Sequence, residues 1–274
     1  MCILFIYLPV NEEESDYRFI LASNRDEYYD RPAAPAGPWE EDSGVLGGCD
    51  MEKGREGGTW LAISPSRLKL AVLLNLSGYP KINPKGRGNI VADFVKSTIS
   101  VEEYIKTLEP DAAEYNDFSL VTAQLGRDST KVQHYSNITN KLQGFNENYL
   151  GFGNSLPETP LKKVVAGKKK FEEICKKYQK IDTKDSLITE LIDLLKWDER
   201  HLPDPELKRR SPEAYESLSS VYVKVLEKRY GTRTHTVILV TKSGEILFQE
   251  LTMASPVDPQ NPQWINNKFI LPVM

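Results

Sequence analysis

Short β-rich segments bounded by turn residues crowd both ends of the chain, while amphipathic helical patterns fill its middle. That distribution is the tightest constraint on the fold, because strand runs interrupted by helix pairs favour sheets covered by helices. Cys2 to Leu8 and Arg18 to Ser23 read as a hairpin across the acidic stretch Asn11 to Asp16. Thr59 to Ser64 and Leu68 to Leu76 form a second pair, joined at Pro65-Ser66, and Phe118 to Gln124 and Lys131 to Ser136 a third, turning at Gly126-Arg127-Asp128. Val221 to Leu226, Thr234 to Thr241 and Ile246 to Leu251 make a last antiparallel group, with Lys242-Ser243-Gly244 as a turn. Helical periodicity covers Asn89 to Ser97, Val101 to Leu108, Leu161 to Tyr178 and Lys184 to Trp197. The third of these puts Val164, Val165, Phe171, Ile174, Cys175 and Tyr178 on one stripe. The expected class is α+β, a sandwich of antiparallel sheets with helices outside. No linker interrupts residues 1–274, and the polar, Pro-rich stretch Leu202 to Pro212 reads as a surface loop, so a single domain is expected.

Composition removes several function classes. A net charge of -4 and a pI near 5.6 argue against nucleic acid as a partner. Cys2, Cys49 and Cys175 are far apart with no CxxC pair, which fits a reducing compartment. No segment reaches the roughly 18 apolar residues that span a bilayer, and the first apolar run lacks the basic lead of a signal peptide. A cytoplasmic location is expected, with membrane association at most peripheral and no oligomeric state implied. No HExxH or paired Cys/His spacing occurs, so no metal site is expected.

Chemistry concentrates at a few positions. Removal of Met1 would leave Cys2 with a thiol and a free α-amine, whose pKa of about 8 makes it a base near neutral pH. The same Cys2 serves equally as a packing residue at the head of an apolar strand. Asn24-Arg25-Asp26-Glu27 follows the Phe19 to Ala22 strand, where a rigid sheet can aim side chains into a pocket. Arg25 suits a carboxylate or phosphate, and Asp26 can orient an amine or thiol. Asn75 and Asn154 sit at strand ends, as oxyanion donors or as turn residues. Arg233 enters a strand after Gly231. His134, His201 and His235 are isolated, and His235 reads as a packed strand residue. Lys168-Lys169-Lys170 lies on a helix that can either cover a sheet or rest on an anionic membrane; the interleaved Glu172 and Glu173 favour the sheet.

Cys2, the Asn-Arg-Asp-Glu tetrad, Gly57-Gly58-Thr59-Trp60-Leu61, Gly86-Arg87-Gly88 and Gly231-Thr232-Arg233-Thr234 occur in that order. Together they resemble the transport and Golgi organization 2 family, also called the NRDE family, from Met1 to about Met253. The resemblance implies the four-layer αββα architecture of N-terminal-nucleophile hydrolases. It is also similar to the cysteine branch, the bile-salt and penicillin-V acylases, although those read Arg-x-x-Asp where this chain has adjacent Arg25-Asp26. By position it assigns Cys2 as nucleophile, Asp26 as its orienting acid, Asn75 and Asn154 to the oxyanion hole, and Arg233 to the same pocket. It implies intracellular haem handling, lipid or acyl-CoA metabolism and Golgi integrity, with Golgi or mitochondrial association. The ligand would sit around Cys2, Asn24, Arg25, Asp26, Glu27 and Arg87. No cofactor is required, and haem would be a carried ligand with its propionates on Arg25, Arg87 or Arg233. Three readings follow: a haem or acyl-CoA carrier, an active amide or thioester hydrolase, and a membrane-surface interaction protein.

Overall fold

The strand expected to stop at Ser23 runs on through the polar tetrad. In the computed structural model, which describes residues 2–9, 14–76, 81–126 and 129–272, this strand is β2, Tyr17–Tyr28. The tetrad is therefore inside a sheet and not in a loop after it. β2 has hydrogen-bonded neighbours on both sides, β1 (Ile3–Tyr7) and β12 (Tyr230–Thr241), and that ladder outweighs the weak strand preference of Asn and Asp. Met1, residues 11–13 of the expected first loop, and Arg127 and Asp128 of the expected third turn lie outside the described residues.

Two compact units divide the chain: residues 1–30 with 146–272, and residues 31–145. In the first, the sheet order is β10-β1-β2-β12-β13-β14, with β11 also paired to β12, and each of these pairs is antiparallel. β10 is Tyr149–Phe152, β11 Lys224–Val225, β13 Glu245–Met253 and β14 Trp264–Pro272. Val221 to Leu226, expected as a full strand, shrinks to the two residues of β11. Helices α3 (Lys162–Lys177) and α4 (Lys184–Leu195) bury Phe171, Ile174, Leu187 and Leu191 in one cluster with Phe5, Tyr7, Ile20 and Val237. The intervening residues Leu4, Ile6, Leu21 and Ile238 are buried too, so both faces of this sheet are covered. The expected surface loop at Leu202 to Pro212 contains a short helix, α5 (Pro205–Arg210), capped by Asp204.

The second unit is a seven-stranded meander from β3 (Ala33–Pro38) to β9 (Lys141–Gly144), every strand antiparallel to the next. α1 (Gly88–Lys96) and α2 (Val101–Leu108) are inserted between β6 (Lys69–Asn75) and β7 (Phe118–Leu125) and pack Ile90, Phe94 and Ile105 against Ala71 and Leu120. β3 and β4 (Leu46–Asp50) escaped the sequence reading because β3 is built from Ala, Pro and Gly and β4 carries Gly47-Gly48. Those glycines admit close neighbours: a Cβ on Gly48 would lie 2.5 Å from the Trp60 ring. The two glycine motifs also meet, since a Cβ on Gly88 would lie 2.8 Å from Gly58 Cα, and Thr59 N–H donates to Gly88 O at 3.1 Å. The architecture is α+β with two antiparallel sheets and five helices among the described residues, as expected for a sandwich. None of those helices is long and apolar enough to cross a membrane.

In the first unit α3 is seated unusually low on the sheet. A Cβ on Gly167 would fall 2.3 Å from Phe5 Cζ, and Phe5 stacks on Phe171 at 5.7 Å. Gly167→Ala should therefore destabilise the protein by about 1–3 kcal/mol through overpacking, although Ala is the better helix former by roughly 1 kcal/mol. Chemical denaturation measures it, and a stabilised variant would show that α3 can lift without cost.

Candidate functional site

β1 and β2 pair with Ile3 opposite Asn24, so continuing the register sets Cys2 level with Arg25. On its other side β1 pairs with β10 with Leu4 opposite Phe152, which brings Asn154 level with Cys2. Between Thr232 and Thr234 the β2–β12 register slips, making Arg233 a bulged residue. Bulges re-aim side chains at functional sites. Arg233 is buried and donates from Nη1 to Tyr28 O at 3.0 Å; burial, followed by the like charge of Arg25, pushes its pKa down to about 10.

The tetrad divides into braces and site groups. Asn24 Nδ2 donates to Leu195 O at 2.8 Å and Val221 O at 3.0 Å, tying β2 to the end of α4. Its Oδ1 meets His235 Nδ1 at 2.7 Å. An amide oxygen only accepts, so His235 donates from Nδ1 and keeps a bare lone pair on Nε2. His235 stacks on Trp264 at 4.9 Å, and burial pushes its pKa down to about 3. Arg25 lies 3.9 Å from Glu27, whose Oε1 accepts from Tyr28 N–H at 2.9 Å. Asp26 Oδ1 accepts from Thr232 Oγ1 at 2.7 Å, and Thr232 in turn accepts from Val223 N–H at 2.9 Å. The Asp26 carbonyl oxygen faces both the Cys2 thiol at 3.9 Å and the Tyr230 hydroxyl at 3.3 Å. Cys2 itself is half-buried, and burial raises its thiol pKa, with the Asp26 charge adding to the rise and Arg25 opposing it.

Sequence reading missed Lys163. It lies in the first turn of α3, is 1 % exposed, and its Nζ makes no hydrogen bond among the described residues. Val165, expected on the buried stripe, is instead 55 % exposed. A wheel at about 100° per residue carries this signal, because relative to the other five stripe residues it sets position 163 about 77° from the centre and 165 about 123°. Burial pushes the Lys163 pKa down, against the charges of Asp26, Cys2 and Asp204. Lys69 shows the ordinary fate of a buried lysine: it donates to Ser97 Oγ at 2.8 Å and Ile99 O at 2.5 Å beyond the C-terminus of α1. Lys163 has no such partners and sits at the positive end of a helix, where a cation is disfavoured.

Asn75 and Arg87 belong to the 31–145 unit. Asn75 closes β6, and Arg87 precedes α1 with Nη1 donating to Asp117 O at 2.8 Å. Asn154 is buried just after β10. Below the tetrad, a cavity of about 410 Å³ is lined by Tyr28, Pro212, Leu218, Val225, Lys228 and Tyr230, with the two tyrosines packed edge to face at 5.2 Å. Tyr230 joins this cavity to the carbonyl that Cys2 faces.

The fold and site define an α+β protein with a thiol, a carboxylate and a buried amine gathered at the start of β1. The family model described as Transport and Golgi organisation 2 matches residues 1–255. Transport and Golgi organization protein 2 of Drosophila melanogaster is 41% identical over 273 residues, 96% of this chain and 95% of its own length. The Mus musculus homolog is 35% identical with 98% of both chains covered, and the Homo sapiens homolog 37% identical over 92% of this chain and 93% of its own. The chain belongs to the transport and Golgi organization 2 family.

Two stability predictions follow from the buried bases. His235 is neutral when folded and protonates below pH 6.5 when unfolded, so its contribution is lost as pH falls from 6.5 towards 3. His235→Gln should lose less stability than the wild type across that window in thermal melts. Lys163 shifts stability in the same direction in a higher window: its penalty is full at low pH and disappears as pH rises through its depressed pKa towards 10.5. Lys163→Met should raise the Tm near neutral pH, and the gain should shrink at alkaline pH; a lowered Tm would mean that the ammonium is stabilised where it lies.

Proposed function

We propose that the chain serves transport and Golgi organisation, the role its relatives are named for, by holding an acyl thioester such as acyl-CoA at the Cys2 end of β1. The observation that carries this reading is Lys163 Nζ, buried in the first turn of α3 within electrostatic reach of Asp26 and Cys2, and without a hydrogen-bond partner among the described residues. An unmet buried donor costs about 1–3 kcal/mol, and a ligand carbonyl or carboxylate would remove that cost. The 410 Å³ cavity supports an amphipathic ligand, since tyrosine rings, Leu218 and Val225 line it together with the charged Arg210, Glu213 and Lys228. Haem is the second ligand within this reading. His134 Nε2 is bonded to Ser119 at 2.8 Å and His235 to Asn24 at 2.7 Å, which favours haem held by its propionates over axial ligation by either residue.

Titration calorimetry with palmitoyl-CoA and with haemin tests the assignment. The wild type should bind one of them saturably, and Lys163→Met should weaken binding about tenfold or more, the loss of one charge-assisted contact. Equal affinity in a folded Lys163→Met protein counts against the site. Thioester hydrolysis is a second reading, favoured by the half-buried Cys2 thiol that faces the Asp26 backbone carbonyl, in a residue whose carboxylate Thr232 fixes. Release of CoA that survives Cys2→Ala unchanged would remove it.

A further inference from the structure

We propose that the cavity beneath the tetrad takes the nucleotide end of a coenzyme A thioester, with the purine base on its tyrosine wall and the phosphates on Arg210 and Lys228. The inference rests on the reading that the ligand is an acyl thioester, and it assigns the end of that ligand remote from the reacting carbonyl. β2 and β12 pair with Tyr28 directly opposite Tyr230, so the two rings stand on one face of the sheet. Asp26 and Asn24 alternate onto that same face, and Asn24 reaches the end of α4 from it. The cavity therefore lies on the helix-covered side. Tyr230 Oη donates to Asp26 O at 3.3 Å, the same oxygen that the Cys2 thiol faces at 3.9 Å, which sets cavity and thiol at one end of β2.

The walls match a nucleotide group by group. Tyr28 and Tyr230 meet edge to face at 5.2 Å, a packing in which the partner's edge covers one ring face only, and Tyr28 is exposed. A base can stack on it, as bases do on aromatic side chains without regard to sequence. Leu218 and Val225 supply the apolar floor, and the volume of about 410 Å³ suits a small-molecule site. Charge points the same way. Glu206 Oε1 accepts from Arg210 Nε at 2.6 Å and from Arg209 Nη2 at 2.9 Å, so one carboxylate answers two guanidinium groups. Arg210, held in place by Glu206, offers a planar cation suited to phosphate. Lys228 Nζ lies 3.4 Å from Glu213 Oε2, and both side chains are exposed. Such a pair contributes little, so Lys228 turns to a phosphate at small cost and leaves Glu213 to accept from ribose hydroxyls. With Arg209, Arg210 and Lys228 set against Glu206 and Glu213, positive charge is in excess, which favours an anionic group over a bare acyl chain.

Titration calorimetry of the full-length protein with adenosine 3′,5′-bisphosphate, the nucleotide piece of coenzyme A, tests the site, with pyrophosphate and palmitoyl-CoA as comparisons. The wild type should bind the bisphosphate saturably, and bound bisphosphate should weaken palmitoyl-CoA. Tyr28→Ala should weaken the bisphosphate about tenfold, the loss of one stacked base, while Tyr28→Phe stays within about threefold of the wild type. Lys228→Glu should weaken it by about tenfold or more through the reversed charge. Both side chains are exposed, so neither change reaches the core. A wild type that does not bind the bisphosphate, or equal affinity in Tyr28→Ala and Lys228→Glu, overturns the proposal. Pyrophosphate bound as tightly as the bisphosphate also overturns it, since the cavity would then hold an anion without reading a base. Palmitoyl-CoA binding that Lys163→Met weakens and both cavity variants leave unchanged overturns the nucleotide assignment alone. Bisphosphate binding that the cavity variants weaken, in a protein that takes up no palmitoyl-CoA, overturns the acyl thioester reading alone.

Discussion

The close seating of α3 on β1 and β10 is the constraint on which the Cys2 end of the molecule depends. Gly151, Gly153 and Gly167 lack the side chains that would hold helix and sheet apart, and Phe5, Phe171 and Val164 fill the narrow gap. Low seating buries the first turn of the helix over the sheet, and with it a lysine that would otherwise reach water along its own stem. The energetic oddity of Lys163 is thus a product of packing several residues away. Asp204 adds the second anchor by joining the start of α3 to the start of α5.

Much of this was legible in the chain, and what was not has physical causes. Short β-rich runs bounded by turn residues located β1, β5 (Leu61–Ser64), β6, β7, β8 (Thr130–Ser136), β12 and β13, because strands covered on both faces read as near-continuous apolar runs. β3 and β4 carry almost no such pattern, since close neighbours demand glycine at Gly47 and Gly48 of β4 and the edge position of β3 admits proline. The tetrad looked like a loop because its residues are poor strand formers taken one at a time. Partners supplied from distant segments, Leu195, Val221 and Thr232, make it a strand. Those partners were invisible to a local reading.

The family motifs divide by what they do physically. Gly57-Gly58 and Gly86-Arg87-Gly88 allow two backbone segments of the 31–145 unit to touch, with Gly57 in a left-handed turn at φ 78°. Gly231-Thr232-Arg233-Thr234 carries the bulge that turns Arg233 and lets Thr232 hold Asp26. In the tetrad, Asn24 braces the sheet against α4, while Asp26 presents its backbone carbonyl to the thiol and its carboxylate to Thr232. A family signature read as one functional string is therefore in part scaffold, and the buried Lys163 lies outside every motif.

The interrupted first unit has a consequence for how the chain is made. Residues 31–145 form a contiguous meander whose strands pair with their sequence neighbours, so the whole unit leaves the ribosome before most of its companion exists. The β1–β2 hairpin emerges earlier still, yet its partners β10 and β12 lie beyond that entire insertion. Until they arrive, both edges of the hairpin are unpaired and its apolar faces are open to water, the condition in which strands find wrong partners. The residues that define the site are thus the first to be synthesised and among the last to be enclosed.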